Sequence, residues 1–408
     1  MSKPPTRLVV SKTREYGSEV PKRERIYGVE KSGWDLEKIK SARIMVIGAG
    51  ALGNEVLKNL GLIGVKNIFL IDFDIVEWAN LSRSVLYREE DCSGDMAKVE
   101  VAAKRLKEIN PEINIQTANA DITIDIGLGV IRRMDVIIGC VDNRLARLYI
   151  NRFCHWLGKP WIDGGILDFG GQADVYRPGE KCYECNLSKE AWENIRFRMG
   201  CVDRARRYAS SGRANTIPLT SSIIGSIQVL EALKLIQNPD GKFSLGNAQF
   251  FFEGLSNEYL TLASDPVGKR CDSHTRFTDI ISSPLTHSST VKEMFAWLQR
   301  HFDHEDVVIT LHYELILSLI TESGDQAIDF VKPRPHVKDD ELTAMAIEIG
   351  EEVLIHEHIS EIEPDFLYPD YSLSTLGIPP LHILTIIANG EEYYVELTGD
   401  EAYLNQPQ

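Results

Sequence analysis

The chain has little that would tie it to a membrane or to a polyanion. No apolar run among its 408 residues reaches the length of a membrane span. The opening stretch MSKPPTRLVVSKTREYG has no apolar core of the kind a secretory signal carries. Together these absences predict a cytoplasmic protein. Basic residues are outnumbered, with 44 Lys and Arg against 60 Asp and Glu, a formal net charge of −16. That sign excludes broad affinity for nucleic acid or anionic lipid and leaves room only for a local basic patch. Cysteine is scarce, seven residues and an odd count, so metal or thiol chemistry is expected rather than a disulfide framework. Repeats and extended low-complexity segments are missing too. What remains is a length comfortable for two domains and a 43% hydrophobic share that permits a large core.

The densest information lies in residues 44–83, IMVIGAGALGNEVLKNLGLIGVKNIFLIDFDIVEWANLSR. An apolar strand runs into Gly48-Ala49-Gly50-Ala51-Leu52-Gly53, a helix-period stretch follows, and a second strand ends in Asp72. This is a nucleotide-binding βαβ pattern. Glycines let the backbone approach a ligand, the helix N-terminus attracts phosphate, and the acid receives ribose hydroxyls. A glycine fingerprint alone fits nicotinamide or flavin enzymes equally well. Here the second strand continues into Asp74, Asn80 and Arg83, and Lys98 follows. That run of polar and cationic groups suits a triphosphate better than a dinucleotide.

Strands and helices alternate through residues 43–165, which predicts an α/β fold of Rossmann-like, doubly wound type with a mostly parallel sheet. Residues 1–42 read as a basic arm with a short helix over Asp35–Lys40. Later elements include a helix over Asp95–Ile109, a strand over Asp135–Cys140, a helix from Asn143 to Leu157, and a strand in 170–177. Thr220-Ser221-Ser222 is a plausible cap for a helix over Ile223–Ile236. The first domain is thus expected to span 43–281. Ser282-Ser283-Pro284 and the polar stretch 286–290 read as a linker into a smaller α+β domain over 285–408. Its best local signal is a hairpin turning at Asn389-Gly390.

Asp142 follows the strand over Asp135–Cys140, in the run Ile137-Ile138-Gly139-Cys140-Val141-Asp142-Asn143, and so sits at the carboxyl edge of the sheet, where open α/β sheets bind ligands. It suits one of the carboxylates that magnesium takes beside phosphates; a cap for the helix beginning at Asn143 is the competing reading. Cys182-Tyr183-Glu184-Cys185 and Cys271-Asp272-Ser273-His274 give a CxxC and a CxxH pair. Three thiolates and an imidazole complete a tetrahedral structural zinc site, with no open position for catalysis. Cys201 stands apart, with Arg196, Arg198, Arg204, Arg206 and Arg207 all within six residues of it. Such a field favours the thiolate and hence a nucleophile; a basic loop gripping an acidic target or phosphate is the other reading. Cys140 and Cys154 look structural, and Cys92 is a reserve candidate with nothing around it to activate a thiol.

Taken together, GAGALG, LIDFDIVEWANLSR, GDMAKVE, CVDN and SSIIGSIQVLEALKLI resemble the ubiquitin-activating enzyme superfamily in its compact MoeB/ThiF-like adenylyltransferase form. The resemblance covers about residues 25–275. It implies ATP and magnesium, with Asp72 on the ribose and Asn80, Arg83 and Lys98 on the phosphates. Asp142 would serve the magnesium, with Asp74 nearby. It also implies a homodimer in which an arm arginine enters the partner's site; Arg25 is the nearest match and Arg23 the alternative. Related enzymes carry two CxxC pairs where this chain has His274 in place of a fourth cysteine. In thioester-forming members, the crossover region that holds Cys201 carries the catalytic cysteine.

The resemblance therefore leads to an enzyme that adenylates the C-terminal glycine of a ubiquitin-like protein, captures it on Cys201 and passes it to a conjugating enzyme. The C-terminal domain would be a docking module for that enzyme, since adenylation alone does not need one. The alternative is a sulfur-carrier adenylyltransferase of the molybdopterin or thiamine type, with no thioester step. A redox enzyme using a dinucleotide would leave Arg83, Lys98 and Asp142 without a purpose.

Overall fold

The computed structural model describes residues 33–199, 216–246, 248–263 and 271–405. Asp35 caps helix α1 (Leu36–Ser41) by accepting from the Glu37 and Lys38 amides. Then come β1 (Arg43–Ile47), α2 (Ala51–Ile63), β2 (Asn67–Ile71), α3 (Lys98–Ile109), β3 (Asn114–Ala118), α4 (Leu128–Arg132), β4 (Val136–Gly139), α5 (Arg144–Trp156) and β5 (Trp161–Leu167). Strands β3, β2, β1, β4 and β5 lie side by side in that order, all parallel. The order reverses direction between β1 and β4, which opens a crevice at their carboxyl ends. Beyond β5 the sheet turns antiparallel through β6 (Gly170–Tyr176), β7 (Ala248–Glu253) and β8 (Glu258–Ala263).

The apolar runs explain this arrangement. Both faces of β1 are covered, so it reads as a continuous hydrophobic run instead of an alternating one. Ile44 and Val46 join the core with α2 and α3, whereas Met45 and Ile47 join the core with α4 and α5. Ile68 and Leu70 of β2 divide from Phe69 and Ile71 in the same way.

Between β6 and β7 lie α6 (Lys189–Met199) and α7 (Pro218–Gln237). Two expectations change at α7. The helix starts at Pro218, with Ile217 as an N-cap that makes no side-chain bond. Proline suits the first helical position because its φ is preset and the amide it lacks would be unpaired there. Thr220 and Ser221 therefore fall inside the helix, where the Ser221 hydroxyl donates back to Pro218 O at 3.0 Å. By length and composition α7 is also apolar enough to cross a membrane, which the sequence reading did not anticipate. Over half of that window is buried, 56%, with Ile224, Val229 and Ala232 in the core against α2 and β4–β6. It is apolar nearly all round because a central helix meets protein on most sides.

The second sheet takes β9 (Ile281–Ser283), α8 (Val291–Phe302), β10 (Val307–Thr321), β11 (Ala327–Pro333), α9 (Asp339–Ile349), β12 (Val353–Ile362), β13 (Ile383–Ala388) and β14 (Glu391–Leu397). Its order is β11-β10-β13-β14-β9, with β12 also paired to β10. The β13–β14 hairpin pairs Ala388 with Glu391 across a two-residue turn, and Asn389 and Gly390 hold φ +54° and +75°. That is the turn this dipeptide favours. Ser282 and Ser283, which composition marks as linker, instead form β9 along β14.

This module is fastened to the first sheet's α4/α5 face. Leu381, Ile383 and Tyr394 sit in the same core as α4 and α5. Gly129 N donates to Leu381 O at 2.8 Å, and the fully buried Glu396 carboxylate receives Arg132 at 2.6 Å and also Arg133. Phe277 stacks between Trp156 and Tyr394, with ring centroids at 5.2 and 3.9 Å. Glu396 is the buried member and both arginines reach it from the surface. Leaving such a buried charge without partners typically costs about 3–5 kcal/mol, so these contacts tie the two sheets together.

Candidate functional site

A cleft of about 1630 Å³ opens at the crevice between β1 and β4. One end is made by the glycine loop. Gly48 adopts φ +98°, and its amide donates to Ile71 O at 2.8 Å, so the loop turns tightly off β1. The loop's carbonyls are tied back. Ala49 O accepts the Tyr87 hydroxyl at 2.6 Å and Asn54 Nδ2 at 2.7 Å, and Gly50 O accepts Asn54 Nδ2 at 3.0 Å. Gly50 caps α2 without a side-chain bond, which leaves the first amides of the helix open to an anion. No heavy atom lies within 4 Å of where a Gly50 Cβ would stand. A Cβ on Gly53 would instead overlap the Gly48 carbonyl oxygen. The first glycine keeps space for a ligand, and the other keeps the helix against its own loop.

Asp72 extends from the end of β2. Its Oδ2 accepts Ala49 N at 2.6 Å and its Oδ1 accepts Asp74 N at 2.8 Å. Burial pushes its carboxyl above the ordinary range, Lys98 opposes that rise, and Asp74 adds to it. Lys98, 8% exposed, bonds Asp74 Oδ2 at 2.6 Å. Asn80 is 5% exposed, and its Oδ1 accepts the Glu77 amide at 2.9 Å, closing a short turn over Trp78–Asn80. Arg83 follows that turn and borders the cleft. Asp142 is exposed at the end of β4, on the opposite lip. The helix beginning there is capped by Asn143, whose Oδ1 accepts Ala146 N at 2.8 Å. Capping is thus the work of Asn143, and no hydrogen-bond partner of the Asp142 carboxylate is found among the described residues.

Gly48, Gly50, Asp72, Asp74, Asn80, Arg83, Lys98 and Asp142 thus all border one cleft, which the sequence could express only as separate motifs. Gly53 lies in the first turn of α2, outside the cleft lining. Arg25, Arg23 and Cys201 lie outside the described residues. Cys140 and Cys154 are buried, and burial pushes both thiols up. Desolvation, then Asp91 and Glu89, push the Cys92 thiol up as well, which is the wrong direction for a nucleophile.

The cysteine and histidine pairs do meet. Cys182, Cys185, Cys271 and His274 bring one ligand atom each to within 4.8 Å of the others. The sulfurs of Cys182, Cys185 and Cys271 are 3.4 to 3.6 Å apart, and Cys185 Sγ is 3.3 Å from His274 Nε2. Tetrahedral zinc with bonds near 2.3 Å sets its sulfurs about 3.7 Å apart, so donor set and spacing both fit that ion. The three thiols share their protons: the Cys271 thiol bonding to Cys182 holds the latter's thiol well below the usual range, and the same contact pushes Cys271 up, so the donor set and its spacing carry the metal reading. Neighbours lock the knot onto α5. Asn151 Oδ1 accepts Tyr183 N at 2.9 Å, its Nδ2 donates to Ser273 at 2.9 Å, and Arg152 reaches Glu184 at 3.1 Å. The knot therefore steadies the helix whose N-terminus carries Asp142.

Several contributors escaped the sequence reading. Tyr87 clamps the glycine loop. Arg147 bridges Asp163 Oδ1 at 2.9 Å, Val141 O at 2.8 Å and Gly164 O at 2.9 Å, tying the chain just past β4 to the middle of β5. Its place one turn into the helix after CVDN was the available signal. His312 and Arg334, from the second sheet, also border the cleft, and no local pattern announces that.

Comparison with known proteins agrees with the motifs. Residues 23–272 match the ThiF family model. The molybdopterin-synthase adenylyltransferase of Haemophilus influenzae is 34% identical over 201 residues, covering 49% of this chain and 76% of that protein. The sulfur carrier protein ThiS adenylyltransferase of Escherichia coli is 30% identical over 230 residues, 56% of this chain and 84% of that protein. SUMO-activating enzyme subunit 2 of Dictyostelium discoideum is 35% identical over 151 residues, 36% of this chain but only 22% of that protein. With more than half of its length matched by the family model, and two such relatives covered over more than two thirds of theirs, this chain belongs to the ThiF family of adenylyltransferases.

Proposed function

We propose that the enzyme uses ATP to adenylate the C-terminal carboxylate of a ubiquitin-like protein, and then takes the acyl group onto Cys201 as a thioester for a conjugating enzyme. The observation that carries the first step is the uncapped α2 N-terminus facing Lys98, Arg83 and a free Asp142 across one cleft. Phosphates would lie on the α2 amides and the two cations, and the ribose on Asp72. Asp142, with Asp74 nearby, would hold magnesium, which neutralises phosphate charge. A carboxylate oxygen of the modifier attacks the α-phosphorus, the bond to the β-phosphate oxygen breaks, and pyrophosphate leaves. Fixed cations aimed at the departing oxygens lower this barrier, and no side-chain nucleophile is required. The Cys201 thiolate then attacks the acyl carbon and AMP leaves. Arg25 from a second copy would complete the phosphate site, so the working form is a homodimer. The outer face of the C-terminal module would receive the conjugating enzyme.

Likeness to the molybdopterin-synthase adenylyltransferase supports a second reading. There the adenylate of a sulfur-carrier protein passes directly to a sulfur donor and Cys201 is dispensable. Intact-protein mass spectrometry separates the two. The chain is incubated with ATP, magnesium and candidate ubiquitin-like and sulfur-carrier proteins, alongside Cys201→Ala. The thioester reading expects a thiol-sensitive adduct of one modifier mass, lost in the variant. Adenylate formation with no Cys201-dependent adduct would sink it and leave the sulfur-carrier reading.

A further inference from the structure

The C-terminal module reaches the nucleotide cleft itself. Leu311, His312, Tyr313 and Glu314 of β10, with Arg334 and Pro335 after β11, border the same cleft as the glycine loop and Asp72. At about 1630 Å³ the cleft exceeds the roughly 300–1,000 Å³ usual for a small-molecule site, so more than one component shares it. Direction along the cleft decides which component meets the module. Phosphates belong at the α2 N-terminus and ribose at Asp72, so the base must continue past Asp72, away from α2. β3 adjoins β2 on the side away from β1, and Asp72 N donates to Ala118 O at its end, 3.2 Å. The chain then runs through Ala120–Thr123 along the cleft wall, and the Thr123 backbone faces the His312 imidazole. Tyr149 closes the corner from α5, its ring edge-on to His312 with centroids 6.4 Å apart.

This corner is built, and it is held in place. His336 Nε2 bonds Asp125 Oδ1 at 2.6 Å, just past Thr123, and Arg334 is paired to Glu314. The rings of His312 and Tyr149 give the corner flat surfaces of the kind a purine stacks on. Leu311 and Tyr313 turn into the module's own core and hold that stretch of β10 in place, the Tyr313 hydroxyl donating to Leu376 O at 2.7 Å. We infer that the C-terminal module is part of the nucleotide site, with Leu311–Glu314 and Arg334-Pro335 forming the outer wall against the adenine of ATP. This rests on the ATP-binding reading above and extends it to a domain that adenylation was not expected to need.

Photolabelling tests it. The full chain is irradiated with azidoadenosine triphosphate, whose azide sits on the purine, in magnesium buffer without any modifier, and labelled peptides are mapped. The inference expects label that excess ATP suppresses on peptides containing 311–314 or 334–335. ATP-suppressed label confined to residues 43–263 would overturn the inference while leaving ATP binding intact. Absence of any ATP-suppressed label would overturn the ATP-binding reading, and the inference with it.

Discussion

Alanine at Gly53 and alanine at Gly50 should fail in opposite ways. At Gly53 the new methyl would overlap the Gly48 carbonyl oxygen, with the Gly48 carbonyl carbon 2.9 Å away. Both neighbours are backbone, and Gly48 is already committed to φ +98°, so relief requires α2 or the loop to move. Overpacking a filled site costs about 1–3 kcal/mol, and backbone against backbone belongs at the upper end. At about 2–4 °C per kcal/mol for a domain of 150–250 residues, the melting temperature should fall by roughly 6–12 °C. Gly50 sits at φ −72° with nothing within 4 Å of its Cβ position. Its cost in the free protein is only the poorer N-cap preference of alanine, about 1 kcal/mol or less. The methyl would, however, occupy the space assigned to phosphate. Thermal melts with and without magnesium and ATP separate the two effects. Wild type at a hundredfold excess over its Kd gains about 2.7 kcal/mol; Gly50→Ala should lose most of that gain while its free form melts near wild type. A Gly53→Ala protein as stable as wild type, or a Gly50→Ala protein with the full ATP-induced shift, would refute the division of roles.

Lys98→Ala should slow ATP–pyrophosphate exchange about 10²–10³-fold and lower the stability read from the melt by about 1–3 kcal/mol, because the Lys98 side chain is 9% exposed and its charge opposes the rise of the buried Asp72 carboxyl. His274→Ala, or a strong chelator, should strip bound zinc as read by elemental mass spectrometry and lower stability by more than about 4 kcal/mol, since the knot holds Glu184 and Ser273 onto α5. Burial pushes the Asp174 carboxyl from 3.8 up to about 7, so between those values the folded protein holds a proton the unfolded chain releases. Wild-type stability relative to Asp174→Asn should therefore be fullest below about pH 4, fall by up to about 1.4 kcal/mol per pH unit as pH rises, and level off above 7. A flat difference across that window in paired melts would contradict the raised value.

Much of this fold was legible in the sequence because local chemistry and tertiary demand agreed. The apolar runs at β1 and β2, the Asp35 cap and the Asn389-Gly390 turn each specify their element within a few residues. Disagreement came where a tertiary neighbour decided the outcome. Ser221 looks like a cap until Pro218 starts the helix earlier and the hydroxyl turns inward. Ser282-Ser283 looks like a linker until β14 supplies a strand to pair with. The cleft was legible as separate motifs, yet Tyr87 takes its place through a backbone carbonyl of the glycine loop, and Arg147 through the Asp163 carboxylate and the carbonyls of Val141 and Gly164. The wall formed by His312 and Arg334 had no signal at all, since it depends on one sheet docking on the helices of the other.

The central claim is adenylation of a protein C-terminus, and ATP–pyrophosphate exchange tests it most directly. Full-length protein, magnesium, ATP and labelled pyrophosphate are combined with each member of a panel of ubiquitin-like and sulfur-carrier proteins, intact or lacking the terminal glycine. The account predicts exchange with at least one intact member, abolished by loss of that glycine. Exchange that runs equally well with the truncated protein would contradict it.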